Sequence, residues 1–329
     1  MPRTKNKPVK IGIVGGAGYT AGELIRILIN HPQAEIAFVQ SSSQGGQPLH
    51  SIHRDLLGET EMKFTDTTGA ADVIFLCLSH GLSTEFLNNN AIDEHCKIID
   101  LGNDFRLNGQ HRERTFIYGL PEMFRDDITK ADNIANPGCF ATAIQLALLP
   151  IAKQSLIEDE VHANAITGST GAGRGLSETS QFSYRNNNVS AYKVFTHQHL
   201  GEIGKTLRRA QQGREVKINF VPVRGNFARG IFATLYTSCR LTKEEAEACY
   251  TEYYSDHPFV HVASRGVSMK EAVNTNKCIL QIEKHGDYLF VTSIIDNLIK
   301  GASGQAVQNM NLMFGIEETS GLHLKSITF

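Results

Sequence analysis

The sequence predicts an α/β protein with two domains, a doubly wound parallel sheet followed by an α+β domain built on a mixed sheet. Three observations predict it. Short apolar runs alternate with helical patterns up to residue 139, as in a parallel sheet flanked by helices. Longer strand candidates take over beyond that point. The chain has 329 residues, a length suited to about two domains.

In order along the chain, residues 9–14 form a strand that runs into glycines. A helix follows through Leu24, Ile25, Leu28 and Ile29, and a second strand covers 36–39, which completes a βαβ unit. Further strands are expected at 73–78 and 98–101. Cys139 opens a helix whose apolar run stops at Pro150, since proline disfavours helix continuation. The second domain then offers strands at 161–166, 217–223, 231–238, 278–283 and 288–295, with helices near 201–210 and 243–254. A last helix over 303–314 follows a Gly-Ala-Ser-Gly turn and returns to the first domain. The expected division is 1–139 for the first domain, 140–300 for the second and 301–329 for the returning helix.

Composition narrows the function. Hydrophobic residues make up 41% and charged residues 20%, which excludes disorder as the default state. A formal net charge of -2 gives no electrostatic reason to expect nucleic acid or an anionic membrane, so a small molecule is the expected partner. The six cysteines form no Cys-x-x-Cys pair, and neither a metal site nor a disulfide framework is expected. The basic segment at residues 1–8 leads directly into a strand instead of an apolar signal core, and a cytoplasmic protein is expected.

The chemistry is concentrated at Asn136-Pro137-Gly138-Cys139. A thiol at the first turn of a helix meets partial positive charge and unpaired N–H groups, which favour thiolate and hold a developing oxyanion. Upstream, Gly12-Ile-Val-Gly15-Gly16-Ala17-Gly18-Tyr19-Thr20 lies between a strand and a helix, where glycines let backbone approach a pyrophosphate. The spacing departs from Gly-x-Gly-x-x-Gly, but the Rossmann-type context supports a dinucleotide. At the end of the second strand, Gln40-Ser41-Ser42-Ser43-Gln44 offers hydroxyls and no carboxylate, which favours NADP over NAD. His197 and His199 precede a helix start containing Glu202, and one imidazole serves as acid–base. Gly168-Ser-Thr-Gly171-Ala-Gly173-Arg174 suits phosphate or carboxylate.

Taken together, these segments resemble the N-acetyl-γ-glutamyl-phosphate reductase family of arginine biosynthesis, relatives of the aspartate-semialdehyde dehydrogenases. The resemblance rests on residues 12–22, Asp100-Leu-Gly-Asn-Asp104-Phe105-Arg106-Leu107, Tyr118-Gly-Leu-Pro-Glu122, residues 136–139, Gly171-Ala-Gly-Arg174, His197-Gln-His199 and residues 296–308. It implies a glyceraldehyde-3-phosphate dehydrogenase-like fold, NADP as cofactor and assembly as a homodimer or homotetramer. It also implies that Cys139 attacks an acyl phosphate to give a thioester and favours His197 over His199 as the acid–base. Gly15, Gly16, Ala17, Gly18, Tyr19, Thr20, Ser41, Ser42, Ser79, Asn297, Lys300 and Gly301 are then expected at the cofactor. Arg106, Asn136, Gly171, Arg174 and Glu202 are expected at the substrate. Three positions depart from the family pattern. Gly201 and Ser79 stand where proline is common, and residues 221–230 follow the family segment only loosely. An aspartate-semialdehyde dehydrogenase, a reductase of another N-acyl-glutamyl phosphate and an NADP-binding redox sensor are the competing readings.

Overall fold

The computed structural model describes residues 7–328; the basic segment expected at the N-terminus lies largely outside them. The chain forms two compact units. The first runs through Asn136 and takes back Ser303–His323, and the second comprises Pro137–Ala302 and the residues after His323.

The first unit holds strands β1 (Val9–Val14), β2 (Ala34–Gln40), β3 (Val73–Leu76), β4 (Lys97–Asp100), β5 (Gln110–His111), β6 (Arg114–Tyr118) and β7 (Asn133–Ala135). They form one sheet in the order β2-β1-β3-β4-β7-β6-β5, parallel except for the β5–β6 hairpin. Strands β1 and β3 are almost wholly buried, and their unbroken apolar runs follow from that two-sided burial. Helices α1 (Tyr19–Leu28), α2 (Leu82–Asn89) and α3 (Pro121–Ile128) belong to this unit. The hairpin, α3 and β7 are too short or too polar to stand out in the sequence.

The second unit carries helices α4 (Cys139–Lys153), α5 (Phe182–Arg185), α6 (His199–Ala210) and α7 (Lys243–Tyr253). Its strands are β8 (Val161–Thr167), β9 (Ser190–Ala191), β10 (Ile218–Arg224), β11 (Ile231–Ser238), β12 (Val260–Ala263), β13 (Cys278–His285) and β14 (Tyr288–Ile295). The mixed sheet has the order β12-β13-β14-β11-β8-β10-β9. Alternating burial along β8, β11 and β13 marks one face packed on helices α4 and α7.

Helix α4 corrects one expectation. It does not stop at Pro150 but continues to Lys153. Proline has no N–H for the carbonyl four residues back, and its ring crowds that oxygen. Here the Tyr254 hydroxyl donates to the Leu146 carbonyl at 2.5 Å and the Tyr250 hydroxyl to the Ala147 carbonyl at 2.6 Å. Tyr254, just after α7, thus restores the bond that proline removes, and Tyr250 adds a second bond to the next carbonyl.

Helix α8 (Gly304–Met313) belongs to the first unit, and every residue in it is buried although many are amides. Those amides are bonded: Asn309 Nδ2 donates to the Gly119 carbonyl at 2.9 Å, Asn311 Nδ2 to Ser320 O at 2.9 Å, and Gln308 Nε2 to Glu318 Oε1 at 2.7 Å.

Candidate active site

In the first unit, the turn from β1 into α1 needs glycine at two places, Gly15 and Gly16. Gly15 has φ +81°, and a Cβ there would lie 2.6 Å from the Cys77 carbonyl oxygen. A Cβ on Gly16 would stand 2.4 Å from Val39 Cγ1, and Gly18 caps α1 with no side chain of its own. What remains is a backbone cradle at a helix N-terminus, with no acidic residue in the first turn, which fits the pyrophosphate of a dinucleotide. Ala17 lies within this turn. Tyr19 is exposed, and the Thr20 carbonyl accepts from Ser303 Oγ at 2.8 Å. Gly12 and Gly22 serve packing, against the Phe38 and His53 rings. At the end of β2, Ser41 is buried with its N–H donating to Thr65 O at 3.0 Å, and Ser42 is exposed. A carboxylate invisible to local sequence reading also reaches this loop, because Asp66 lies against Gly45. Ser79 is exposed where the chain turns toward α2.

Arg106 and Asn136 share this unit. Arg106 is buried, its Nε donating to the Asn136 carbonyl at 2.9 Å and Nη2 to the Leu101 carbonyl at 3.1 Å. The guanidinium expected at the substrate therefore braces the ends of β4 and β7. Asn136 Oδ1 accepts from Asn309 Nδ2 at 3.1 Å.

In the second unit, Cys139 is the first residue of α4, with Gly138 as its cap, and it is half-buried. None of the six cysteines forms a disulfide. The Gly138 N–H donates to Glu202 Oε2 at 3.0 Å, and Glu202 Oε1 stands 3.9 Å from His199 Nε2. Glu202 and both histidines are buried. The His199 N–H donates to His197 Nδ1 at 3.2 Å, so the neutral His197 ring carries its proton on Nε2. Burial, aided by the Lys193 charge, pushes His197 down to about 4, which keeps it neutral at pH 7. The two rings meet at 4.5 Å, and both contact the edge or face of Phe140. The turn before α6 achieves this, whereas an extended segment would point the rings apart.

Sequence reading missed two neighbours. The Tyr192 phenol is pushed up to about 12 by burial and by the adjoining Cys139. Arg224, at the end of β10, lies 4.7 Å from the Tyr192 ring centroid. Both sit in segments without periodicity, and no local signal marks them.

Comparison with known proteins decides the family. Residues 10–131 match the semialdehyde dehydrogenase NAD binding domain, and residues 139–297 match the semialdehyde dehydrogenase dimerisation domain. An N-acetyl-gamma-glutamyl-phosphate reductase of Flavobacterium johnsoniae is 58% identical over 98% of this chain and 100% of its own. Another, from Christiangramia forsetii, is 54% identical over 97% of this chain and 99% of its own. The chain belongs to the N-acetyl-gamma-glutamyl-phosphate reductase family. Solved structures agree on the fold. Aspartate semialdehyde dehydrogenase II of Vibrio cholerae superposes with a TM-score of 0.73 at 13% identity, covering 94% of this chain and 99% of that one. The Candida albicans aspartate semialdehyde dehydrogenase, solved with NADP, gives 0.69 at 15% identity over the same shares.

The remaining blocks that carry the reductase resemblance also have visible structural work. A Cβ on Gly301 would lie 2.8 Å from Cys139 Cβ, so only glycine lets the turn at Ile299–Ser303 press against the thiol residue. Asn297 fastens the glycine loop, its Oδ1 accepting from the Gly230 N–H at 2.7 Å and its Nδ2 donating to Thr170 Oγ1 at 3.0 Å. Lys300 is fully buried, 5.9 Å from the Phe259 ring centroid. Gly171 and Arg174 lie exposed on the loop after β8.

Proposed function

We propose that this chain reduces N-acetyl-γ-glutamyl phosphate to N-acetyl-L-glutamate 5-semialdehyde and phosphate, with Cys139 as nucleophile. The observation that carries the reading is Cys139 at the first position of α4, against Gly301 and beside the buried Glu202–His199 pair. The α4 N-terminus favours the thiolate and the oxyanion that forms on the attacked carbonyl. Glu202, bonded to the neighbouring amide, places a negative charge near that thiolate, and an imidazolium at His199 offsets it.

In the reduction, Cys139 gives its proton to His199 and attacks the γ-carbonyl. His199 passes that proton to the leaving phosphate oxygen as the carbon–oxygen bond breaks, and a thioester remains on Cys139. The Gly15–Gly18 turn would hold NADPH, which would supply the hydride when bound. The carbon–sulfur bond then breaks to release the aldehyde, and solvent reprotonates Cys139. His197, neutral and with Nδ1 occupied, orients His199. Gly171 and Arg174 line the approach to the substrate, and Asn297 and Lys300 hold the turn around Gly301.

The dimerisation-domain match supports a homodimer. Val223, Ile166, Phe232 and Ile279, each half-buried, register across the mixed sheet through the fully buried Ile294, and these four suit burial by a second copy. A free nucleophilic thiol is best preserved in a reducing compartment, which supports a cytoplasmic location.

The test is oxidation of N-acetyl-glutamate 5-semialdehyde with NADP and inorganic phosphate. Phosphate-dependent turnover is expected from the wild type and none from Cys139→Ala. Undiminished turnover in that variant would remove the thiol from the mechanism.

A further inference from the structure

Arg224 is a cation whose counter-ion is not supplied by the protein. Its Nη1 donates to Thr179 Oγ1 at 3.0 Å, and its guanidinium lies over the Tyr192 ring, 4.7 Å from the centroid. The Nε atom is buried without a hydrogen-bond partner. Among the described residues, no Asp or Glu forms an ion pair with Arg224. One more cation stands nearby in the same condition. Arg185 is buried and donates to Thr179 O, Ser190 Oγ and the Arg224 carbonyl. A partly desolvated charge is costly unless an opposite charge meets it. The Tyr192 N–H is fixed to the Pro222 carbonyl at 3.1 Å, and its ring meets His197 at 5.8 Å, which in turn meets Phe140, the residue after Cys139, at 5.4 Å.

We propose that Arg224, held against Tyr192, receives the α-carboxylate of the acyl-phosphate substrate. This rests on the reductase reading above. The phosphate is bonded to the carbon that Cys139 attacks and must lie at the thiol. The carboxylate is separated from that carbon by three others, which suits a cation placed behind the Tyr192 ring. Arg106 is engaged with backbone carbonyls and Arg174 is exposed, so neither is as well placed. Arg224 also falls within residues 221–230, the segment that follows the family pattern only loosely, and it is therefore a residue through which this chain sets its own substrate contact.

The test uses the oxidative reaction, in which semialdehyde and phosphate are separate substrates. Arg224→Leu should raise KM for the semialdehyde about 10- to 100-fold, the worth of a charge-assisted hydrogen bond, with kcat and KM for phosphate nearly unchanged. Arg224→Lys should recover part of the loss, which separates charge from packing. The α-carboxamide analogue of the semialdehyde should be as poor for the wild type as the acid is for Arg224→Leu, and the variant should no longer tell the two apart. A rise in KM for phosphate instead, or undiminished discrimination between acid and amide in Arg224→Leu, would overturn the assignment. A wild type that fails to oxidise the semialdehyde would instead refute the reductase reading.

Discussion

At Cys139 two electrostatic influences compete. The α4 N-terminus stabilises a thiolate, while the Glu202 carboxylate bonded to the Gly138 N–H opposes it. His199 Nε2 stands 3.9 Å from the other oxygen of Glu202, and the proposed mechanism gives the two histidines different work. His197 accepts the His199 amide on Nδ1 and titrates near 4, so it changes protonation too low to serve at neutral pH. The sequence reading preferred His197, and the tautomer forced by that amide is the reason to prefer His199. His199→Asn should lower kcat by about 100- to 10,000-fold and remove one limb of the pH–rate profile. His197→Asn should retain both limbs and lose less. Profiles of kcat across neutral pH check this, and a limb lost only in His197→Asn would reverse the roles. Cys139 was legible because turn residues, a lone thiol and an apolar run are contiguous. Tyr192 and Arg224 were not, because only the three-dimensional turn after β9 and the end of β10 bring them into the site.

At the scale of elements, α4 shows how tertiary bonding overrides a local signal. Pro150 reads as a helix stop, yet the helix runs on because hydroxyls from Tyr250 and Tyr254 serve carbonyls of the preceding turn. Tyr254→Phe should destabilise the protein by about 1–3 kcal/mol, the cost of a buried carbonyl left without a donor. In a Pro150→Ala background the cost should shrink, since the alanine N–H then reaches the Leu146 carbonyl from within the helix. Unfolding in urea of the wild type, both single variants and the double variant measures the coupling, and equal costs in both backgrounds would contradict it. The α8 sequence presents the converse problem: its buried amides look like a solvent-facing helix until their backbone acceptors are known. Strands β1, β3, β8 and β11 were legible from runs or alternation, whereas β5, β7 and β9 have three residues or fewer and leave no period to read.

At the scale of the molecule, the change from short buried strands to longer alternating ones was visible in sequence, as were the glycine turn and the thiol. The return of Ser303–His323 to the first unit was suggested only by the glycine-rich turn before it. The mechanism stands or falls on whether one of the six cysteines carries the acyl group through the reaction. Mass spectrometry of the enzyme mixed with N-acetyl-γ-glutamyl phosphate in the absence of NADPH, followed by peptide mapping, reads this directly. A Cys139 thioester requires release of one phosphate per active site and an N-acetyl-glutamyl adduct on the Cys139 peptide, discharged when NADPH is added. Phosphate release only with NADPH and no adduct, or an adduct on another cysteine that NADPH discharges, would contradict it.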